Sequence, residues 1–300
     1  MSIVVVGSMF FDTIETPYGR AERLLGGSAT HFSLAASFFA PVRVVAAVGD
    51  DFGEAELETH RARGIDLTGV QHRKGTTGRW TGRYHEDMNM RDTLDLDLGV
   101  FADFHPELPP AYREADHLFL GNIDPSLQSS VLDQLSRPAV VACDTMNHWI
   151  ETARPQLDRL LKRVQILLIN DEEARQLSGE RNLVKAARRI LASGPQRLLI
   201  KRGEYGVIHF SGDDVFAVPA FPLEEVFDPT GAGDAFAGGF LGSLARAGDF
   251  SERSVRRAIV YGSVVASFIV EDFGMKRLQR LTLDEIDKRY RQFIALTDIG

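Results

Sequence analysis

Cysteine is almost missing from the 300-residue chain, which contains only Cys143. A single thiol excludes an intramolecular disulfide and any zinc site built from several cysteines, and such usage is typical of the reducing cytosol. Because Cys143 ends the apolar run at 139–143, we expect it to be buried. We therefore predict a cytoplasmic protein that is held together by its hydrophobic core.

A basic excess, a leader segment and a long apolar run are missing as well. The formal net charge is -8, whereas proteins that bind nucleic acids or anionic membranes usually carry a basic stripe. The N-terminus has no positively charged start and no cleavage site, and no later run has the roughly 20 apolar residues of a membrane span. We therefore expect neither a nucleic-acid partner nor a membrane partner.

Several common catalytic and nucleotide-binding motifs are absent. The phosphate-binding loop G-x-x-x-x-G-K-[ST] does not occur, and G-x-G-x-x-G fails at 231–236 because its last position is Phe236. The G-x-S-x-G and H-E-x-x-H motifs of hydrolases are not found either. A nucleotide site would therefore need a different construction.

Short apolar runs alternate with segments of helical patterning along most of the chain. Strands that are apolar on both faces and alternate with helices are typical of a parallel sheet covered on both sides. The pattern at 206–218 predicts a hairpin, and helices are predicted near 231–247, 251–271 and 282–297. The predicted class is α/β, with strands at 3–7, 42–49, 117–121, 139–143, 165–170 and 197–201.

Two segments, 13–27 and 76–101, break this alternation. In the second, the stretch LDLDL at 94–98 places its leucines on one strand face and its aspartates on the other, which predicts a half-exposed antiparallel sheet. The first segment follows the first strand without a helical pattern and is expected to join the same sheet. Since each segment is too short to form its own core, we predict a lid on the α/β body.

The stretch DPTGAGDAFAGGF at 228–240 begins a predicted helix with an unusual number of glycines. Each glycine inside a helix costs up to about 1 kcal/mol relative to alanine, so the backbone is expected to approach another group closely. Free N–H groups of Gly231, Ala232 and Gly233 at the helix N-terminus would bind an anion. Asp234 beside them suits a base that removes a proton from an attacking hydroxyl, and phosphoryl transfer needs both parts.

Other interpretations of this helix start remain open. Asp228 and Thr230 are candidate caps of the helix. The small residues also suit close helix packing, with Asp234 as a stabilising acid in the first turn. Gly238 and Gly239, one turn further on, fit that packing interpretation.

The stretch at 228–240 resembles the C-terminal signature of the ribokinase family, the PfkB-type carbohydrate kinases. Three other motifs occur in the order which that family shows: Asp12 followed by Gly26-Gly27, NDEE at 170–173, and LLIKRGEYGVIHF at 198–210. Four ordered motifs are more specific than any one of them, and the resemblance covers nearly the whole chain.

The resemblance implies a fold and an activity. The fold would be one ribokinase-like domain over residues 1–300: a three-layer α/β/α sandwich with a central, mostly parallel sheet and a small β-sheet lid from about 12–27 and 76–101. The activity would be ATP-dependent phosphorylation of a hydroxymethyl group of a sugar or sugar derivative, with Mg²⁺ and in some members a monovalent cation. A nucleoside kinase and a non-catalytic binding protein on this fold are the alternatives.

The resemblance also assigns residues to the transfer step. Gly231, Ala232 and Gly233 would form the anion hole for the transferred phosphoryl, and Asp234 would be the catalytic base. Asn170 and Glu173 would hold Mg²⁺ through water, which agrees with the few protein ligands that this cation takes. Asn followed by Glu three positions later is also the pattern of a helix capping box, and both roles can hold. The implied nucleotide-binding residues are Asn170, Glu173, Lys201, Gly203, Gly206, Thr230, Gly231, Gly233 and Gly262.

For the acceptor, the resemblance implies a site made by Asp12, Gly26, Gly27 and Asp234. A carboxylate that accepts two hydrogen bonds suits a vicinal diol. The chain departs from the family pattern at His31, where many members have an asparagine that contacts the acceptor. A histidine offers one hydrogen bond from a larger ring, so a different acceptor is expected.

Lid residues Arg79, Trp80 and Arg91 could contact the acceptor, with Trp80 stacked on a sugar or a base. They could equally fill an interface, because family members often dimerise through the lid sheet. Asp144 and Asn147 match a strand-end site that lies near substrate and phosphate in relatives.

Overall fold

The computed structural model describes residues 1–136 and 140–298. The strands are β1 (Ile3–Val6), β2 (Phe10–Thr16), β3 (Gly19–Gly26), β4 (Val42–Val48), β5 (Asp66–His72), β6 (Arg79–Tyr84), β7 (Arg91–Asp97), β8 (His117–Leu120), β9 (Val140–Asp144), β10 (Ile166–Asn170), β11 (Arg197–Lys201), β12 (Val207–Ser211) and β13 (Asp214–Val218). The helices are α1 (Ser28–Ala36), α2 (Glu54–Arg61), α3 (Pro125–Gln134), α4 (Asn147–Thr152), α5 (Arg154–Leu161), α6 (Asp171–Ser178), α7 (Leu183–Leu191), α8 (Ala232–Ala247), α9 (Glu252–Ile269), α10 (Lys276–Arg280) and α11 (Leu283–Thr297).

Within the described ranges, nine strands form the central sheet in the order β13-β12-β11-β10-β9-β8-β1-β4-β5. The pairs from β11 through to β5 are parallel, whereas the β12–β13 hairpin adds two antiparallel pairs at one edge. All six strands predicted from apolar runs are present, which confirms the mostly parallel sheet. The predicted run at 139–143 appears as β9, and its first residue, Ala139, lies outside the described residues.

Helices cover both faces of this sheet, as the alternation of strands and helices predicts. Because successive side chains of a strand point to opposite faces, Ile3 and Val5 of β1 pack in one buried cluster with α1, α8 and α9. Val4 and Val6 pack in a second cluster with α3, α5 and α7. The three-layer α/β/α sandwich is therefore confirmed.

Local sequence signals set the ends of the long C-terminal helices. Ser251 caps α9 by accepting a hydrogen bond from the Ser254 N–H, and Thr282 and Glu285 form a capping box at α11. Helix α8 ends at Gly248, whose φ of 71° is the left-handed conformation that glycine adopts easily. The sequence patterns at 231–247, 251–271 and 282–297 thus predict these three helices, while the short α10 between them was missed.

A second sheet has the order β3-β2-β6-β7 and forms the small lid sheet. The prediction that it is antiparallel is wrong in one pair: β2 and β6 run parallel, and only β2–β3 and β6–β7 are antiparallel. The reason is that β2 follows β1 along the chain and β6 follows β5. Since β1 and β5 run in the same direction in the central sheet, β2 and β6 also run in the same direction. The lid is therefore a mixed sheet.

The outer lid strand β7 is exposed along its whole length. Leu94 and Leu96 are 45% and 54% exposed, and a register shift between Thr81 and Gly82 of β6 interrupts the regular alternation opposite them. An apolar lid edge is therefore open to contact.

None of the described helices has the length and apolarity that crossing a bilayer requires.

Candidate active site

The carboxyl ends of three neighbouring parallel strands bring polar side chains to one edge of the central sheet. Asp144 ends β9, Asn170 ends β10 and Lys201 ends β11, with Asn170 and Lys201 paired in register. In open α/β sheets, ligands bind in the crevice outside these strand ends. The N-terminus of α8 faces the same crevice, since Gly233 lies against the Lys201 side chain.

Helix α8 begins in a way that the sequence did not reveal. Gly231 is the N-cap residue with a φ of 73°, and no side chain caps the helix. The prediction of Asp228 or Thr230 as a cap is therefore wrong. The Asp228 carboxylate instead accepts hydrogen bonds of 2.9 Å from the N–H groups of Thr230 and Gly274, because the left-handed turn at Gly231 keeps it outside the helix. It ties the α8 entry loop to the loop after α9.

Two of the three expected donor groups are free. The Ala232 N–H donates to the Pro229 carbonyl at 3.2 Å, so the prediction that it is free is wrong for this structure. In the part of the chain that the structure describes, the N–H groups of Gly231 and Gly233 have no protein acceptor. Unpaired donors at a helix N-terminus attract an anion. The arrangement offers an anion site, made by the backbone of two glycines.

The other glycines of α8 serve helix packing. A Cβ on Gly238 would collide with the Phe32 carbonyl of α1, and one on Gly242 would lie 3.1 Å from Ala36 Cα. On the opposite side, Gly239 packs on Val265 and on Gly262 of α9. The packing interpretation therefore holds for these glycines, and α8 is held tightly between two neighbouring helices.

Lys201 supplies positive charge beside the anion site. Its ammonium donates to Asp144 Oδ2 at 2.8 Å, and it would lie 3.0 Å from a Cβ on Gly233. Burial by itself lowers the pKa of Lys201, but the neighbouring Asp144 and Glu173 carboxylates outweigh it and raise that pKa. Lys201 is therefore held as a cation at the helix N-terminus.

Asp234 follows directly in the first turn of α8 and is half-buried. Burial raises the pKa of its carboxyl to about 7, with a further increase from Asp144, while Lys201 and Arg91 oppose the shift. A carboxyl with a pKa near neutrality is suited to take up a proton from a substrate hydroxyl. The sequence-predicted base therefore has the local environment that its predicted role needs.

Asn170 and Glu173 form the capping box that their spacing allows. The Glu173 N–H donates to Asn170 Oδ1 at 2.8 Å, and the Asn170 N–H donates to Glu173 Oε2 at 2.7 Å. Burial and Asp144 raise the pKa of Glu173 to about 7, while Lys201 lowers it. The carboxylates of Asp144 and Glu173 thus lie close enough at the crevice for their charges to interact.

The side-chain oxygens of Asn170 and Glu173 suit a hard divalent cation that is bound through water molecules. Among residues 1–136 and 140–298, no group of three or more His, Cys, Asp or Glu side chains is arranged to hold a metal ion. Mg²⁺ usually keeps several waters and binds through one or two carboxylates and substrate phosphates. Burial is the main cause of the raised pKa values of Glu173 and Asp234, and the Asp144 carboxylate adds to both. A bound Mg²⁺ would offset this repulsion between carboxylates, so the residues fit Mg²⁺.

The acceptor residues lie where the lid meets the body. Asp12 of β2 is 4% exposed, and Gly26 has no Cβ because one would overlap the Asp12 carboxylate. Burial raises the pKa of Asp12 to about 8, with smaller contributions from Asp228 and Asp234, while a Gly27 backbone hydrogen bond lowers it. The Asp12 carboxylate thus requires glycine at Gly26, whereas Gly27 has a φ of 91° and lies against the Ser8 carbonyl.

The inner lid face carries an aromatic side chain next to Asp12. Trp80 is paired with Asp12 in the parallel β2–β6 register, its indole covers Gly82, and its Nε1 donates to Thr93 Oγ1 at 3.2 Å. The indole therefore lies along the lid sheet, over Gly82 and toward β7, while the backbone of Trp80 is next to that of Asp12. Arg79, by contrast, forms an ion pair of 2.9 Å with Asp51 on the body.

The lid is closed over the crevice. Thr230 Oγ1 donates to the Tyr84 hydroxyl at 3.2 Å, and Asn89 Nδ2 donates to Glu204 Oε1 at 3.1 Å, while the Asn89 side chain covers Gly203. The lid hairpin thus reaches the loops on the far side of the anion site.

Comparison with known proteins identifies the family. A model described as pfkB family carbohydrate kinase matches residues 1–279. The chain belongs to this family. A cytidine kinase of Thermococcus kodakarensis is 32% identical over 251 residues, which cover 82% of this chain and 89% of that protein. The ribokinase-family resemblance deduced from four motifs is thereby confirmed, and with it the kinase class.

Two solved structures of kinases have the same fold. Burkholderia thailandensis nucleoside kinase in complex with inosine has a TM-score of 0.77 at 22% identity, covering 98% of this chain and 99% of that chain. Aminoimidazole riboside kinase of Salmonella enterica, complexed with aminoimidazole riboside and an ATP analogue, has a TM-score of 0.76 at 20% identity, covering 97% and 100%. The predicted fold, with its lid, is confirmed.

Some predicted site residues make contacts within the body of the fold, and some contributors were missed. Asn147 donates to Gln176, Gly206 packs on the Val218 carbonyl, and Gly262 contacts Phe236 between α8 and α9. The roles given to them remain predictions. Tyr84 and Asn89 carried no sequence signal, because their contacts arise only when the lid folds onto the body.

Proposed function

We propose that the protein transfers a phosphoryl group from ATP to a hydroxymethyl group on the ribose of a nucleoside or on a related sugar. The observation that carries this proposal is the carboxyl of Asp234, with its pKa raised to about 7, at the N-terminus of α8 beside two free backbone donors and the Lys201 ammonium. A proton acceptor and an anion site in contact are what phosphoryl transfer needs.

In the reaction, Asp234 takes the proton of the acceptor hydroxyl as the hydroxyl oxygen attacks the terminal phosphorus of ATP, and the bond from that phosphorus to the bridging oxygen breaks to release ADP. The N–H groups of Gly231 and Gly233 receive the negative charge on the transferred group, and Lys201 supports them electrostatically. Ala232 would join them once its N–H leaves the Pro229 carbonyl. Closure of the lid excludes water, which would otherwise compete with the acceptor.

Mg²⁺ would be held through water near Asn170 and Glu173 and would neutralise charge on the ATP phosphates. Asn170 and Glu173 keep their capping hydrogen bonds in this role, because each retains a free oxygen or lone pair toward the crevice. Lys201, Gly203, Gly206, Thr230 and Gly262 would line the rest of the nucleotide site. A monovalent-cation requirement stays a prediction, to be tested by exchanging K⁺ for a bulky organic cation.

The acceptor would bind between Asp12, the Gly26-Gly27 pair and the lid, with Asp12 accepting two hydroxyl hydrogen bonds. A nucleoside is favoured over a free sugar because Trp80 is the register partner of Asp12 and its indole lies over Gly82 of the lid, where a base attached to the ribose can stack. The similarity to a cytidine kinase also supports this order of preference. A non-catalytic binding protein is disfavoured, since such a protein would not need Asp234.

The exposed apolar edge of β7 supports a homodimer formed through the lid sheet. Leu94 and Leu96 on that strand, with Leu98 just after it, are each more than two fifths exposed. Burying them against a second copy would remove apolar surface from water. Light scattering of the wild type and of Leu96→Lys tests this, because the Leu96→Lys variant should be monomeric.

We also propose that the chain is one domain that acts in the cytoplasm, where ATP is abundant.

The experiment that tests the activity is ADP release with Mg-ATP across a panel of nucleosides, free pentoses, hexoses and sugar acids. Asp234→Asn serves as the inactive variant and Asp133→Asn, on the surface, as the matched control. Turnover with one acceptor class, lost only in Asp234→Asn, is the expected result. Turnover that survives in Asp234→Asn would remove this residue as the base.

A further inference from the structure

His31 lies between two glycine backbones that belong to different parts of the proposed active site. It is 2% exposed and lies near the start of α1, the helix that follows the acceptor glycine pair. Its imidazole contacts Gly27 on one side and Gly231, the N-cap of α8, on the other. No other side chain is shared in this way by the acceptor loop and the anion site among the contacts described above.

The contact with Gly27 fixes the ring and its protons. His31 Nδ1 lies 2.9 Å from the Gly27 carbonyl oxygen, and because a carbonyl only accepts, Nδ1 carries the proton. Burial also lowers the pKa of His31 to about 4, so the imidazole is neutral near neutral pH and Nε2 has a free lone pair. The Cδ2–Nε2 edge of the ring points away from Gly27.

That edge lies on Gly231. A Cβ on Gly231 would overlap Cδ2, Nε2 and Cγ of the ring, so the imidazole is in direct contact with the Gly231 backbone. Gly231 has a φ of 73°, and this left-handed conformation aims the following N–H groups out of the helix. The ring therefore fills the space beside the Gly231 Cα in which a side chain would otherwise lie.

We propose that His31 is a positioning residue that holds Gly231, and with it the anion hole, in place by direct contact of its imidazole ring. The same ring donates a hydrogen bond to the Gly27 carbonyl. A shift of the acceptor glycine pair would therefore move the His31 ring and, through it, Gly231. This inference rests on the proposed kinase function, because it concerns the geometry that receives the transferred group.

The test compares the affinity for ADP with the affinity for ADP plus fluoroaluminate, an anion that mimics the transferred phosphoryl and needs no acceptor. In the wild type, fluoroaluminate should tighten ADP binding. His31→Ala and His31→Asn, which lack the large ring, should weaken the fluoroaluminate complex by about tenfold or more. Binding of ADP alone should change by no more than about twofold, since the contacts with ADP are the same with and without the transferred group. His31→Phe keeps a ring against Gly231 and should retain more of the tightening than His31→Ala.

His60 provides a matched control for loss of a buried histidine. It is fully buried, its Nδ1 lies 3.2 Å from the carbonyl four residues earlier, and it belongs to α2, away from α8. His60→Ala should lower the thermal midpoint by as much as His31→Ala and leave the fluoroaluminate complex intact. A thermal effect without a binding effect in the His31 variants would overturn the proposal.

Two further outcomes are decisive. Equal tightening in His31→Phe and His31→Ala, both weaker than the wild type, would exclude ring contact as the cause. Absence of tightening in the wild type itself, with ADP bound normally, would instead count against phosphoryl transfer at this site and so against the proposed function.

Discussion

Lys201 donates a hydrogen bond of 2.8 Å to Asp144, and the two side chains are only 18% and 9% exposed. The pair is the electrostatic centre of the crevice, because Asp144 raises the pKa of both Glu173 and Asp234 while Lys201 lowers both. Removing either partner therefore changes two properties of the protein: the stability of the fold and the charge at the anion site.

Lys201→Met should lower both kcat and stability. Breaking a buried ion pair costs about 3–5 kcal/mol when one charge is left unpaired, whereas removing both charges is often nearly neutral. We therefore expect the double variant Lys201→Met with Asp144→Asn to recover most of the stability and none of the activity. Urea unfolding and steady-state kinetics measure the two effects, and recovered activity would show that the cation at Gly233 is not needed.

The reaction rate should fall as the pH drops through the pKa of Asp234, which is raised to about 7. The base works only when it is deprotonated, so log kcat/KM should rise with pH and level off above that value. Any residual rate of Asp234→Asn should lack this dependence. A flat profile in the wild type would indicate that Asp234 does not carry the transferred proton.

Asp12 should destabilise the ligand-free protein at high pH. Its pKa in the folded state is about 8 against a usual value of 3.8, so the folded state binds more protons and stability falls as the pH rises between these values. Asp12→Asn should therefore raise Tm at about pH 8 by roughly 2–4 °C, the shift that about 1 kcal/mol produces in a domain of this size. At about pH 4, where Asp12 is protonated in the folded protein, the gain should be small.

Asn89 and Glu204 should act as one unit in lid closure. Their hydrogen bond of 3.1 Å joins the lid hairpin to the nucleotide side of the crevice. Asn89→Ala should raise the KM for ATP by about two- to fivefold, as expected for loss of one exposed hydrogen bond. Glu204→Ala should do the same, and the double variant should be no worse than either single variant. Additive effects would show that the two residues work independently.

Gly238→Val should destabilise the fold. The added side chain would meet the Phe32 carbonyl of α1, which cannot move without shifting that helix. Overpacking of this kind costs about 1–3 kcal/mol. Arg246→Val on the exposed side of the same helix adds a comparable branched residue without a clash, and denaturant unfolding of the two variants compares them directly.

Sequence patterns predicted the central sheet, the long C-terminal helices and the lid because each depends on local periodicity. They did not predict the parallel β2–β6 pair, since strand direction in the lid depends on how the chain returns from β5. They also assigned Asp228 to the wrong partner, because the turn at Gly231 determines which N–H groups that carboxylate meets. The left-handed φ of Gly231 is a property of the folded loop, which a short motif does not encode.

The order of the motifs suggested a role for each site residue. The fold adds which of these residues contact each other. The sequence placed Asp144 only at a strand-end site near substrate and phosphate, whereas the fold shows that it pairs with Lys201 and raises the pKa of Asp234. His31 was singled out only as a departure from a family pattern, and its contact with Gly231 needed coordinates. Long-range contacts of this kind leave no periodic signal.

Strand β1 sends alternate side chains into two separate buried clusters, and only one of these contains α1 and α8. The sheet therefore separates the layer that contains α1 and α8, with His31, Gly231 and Asp234, from a second layer on its other face. For protein engineering, the second layer, with α3, α5 and α7, is the place to introduce stabilising substitutions. Changes there leave Gly231, His31 and the packing of α8 untouched.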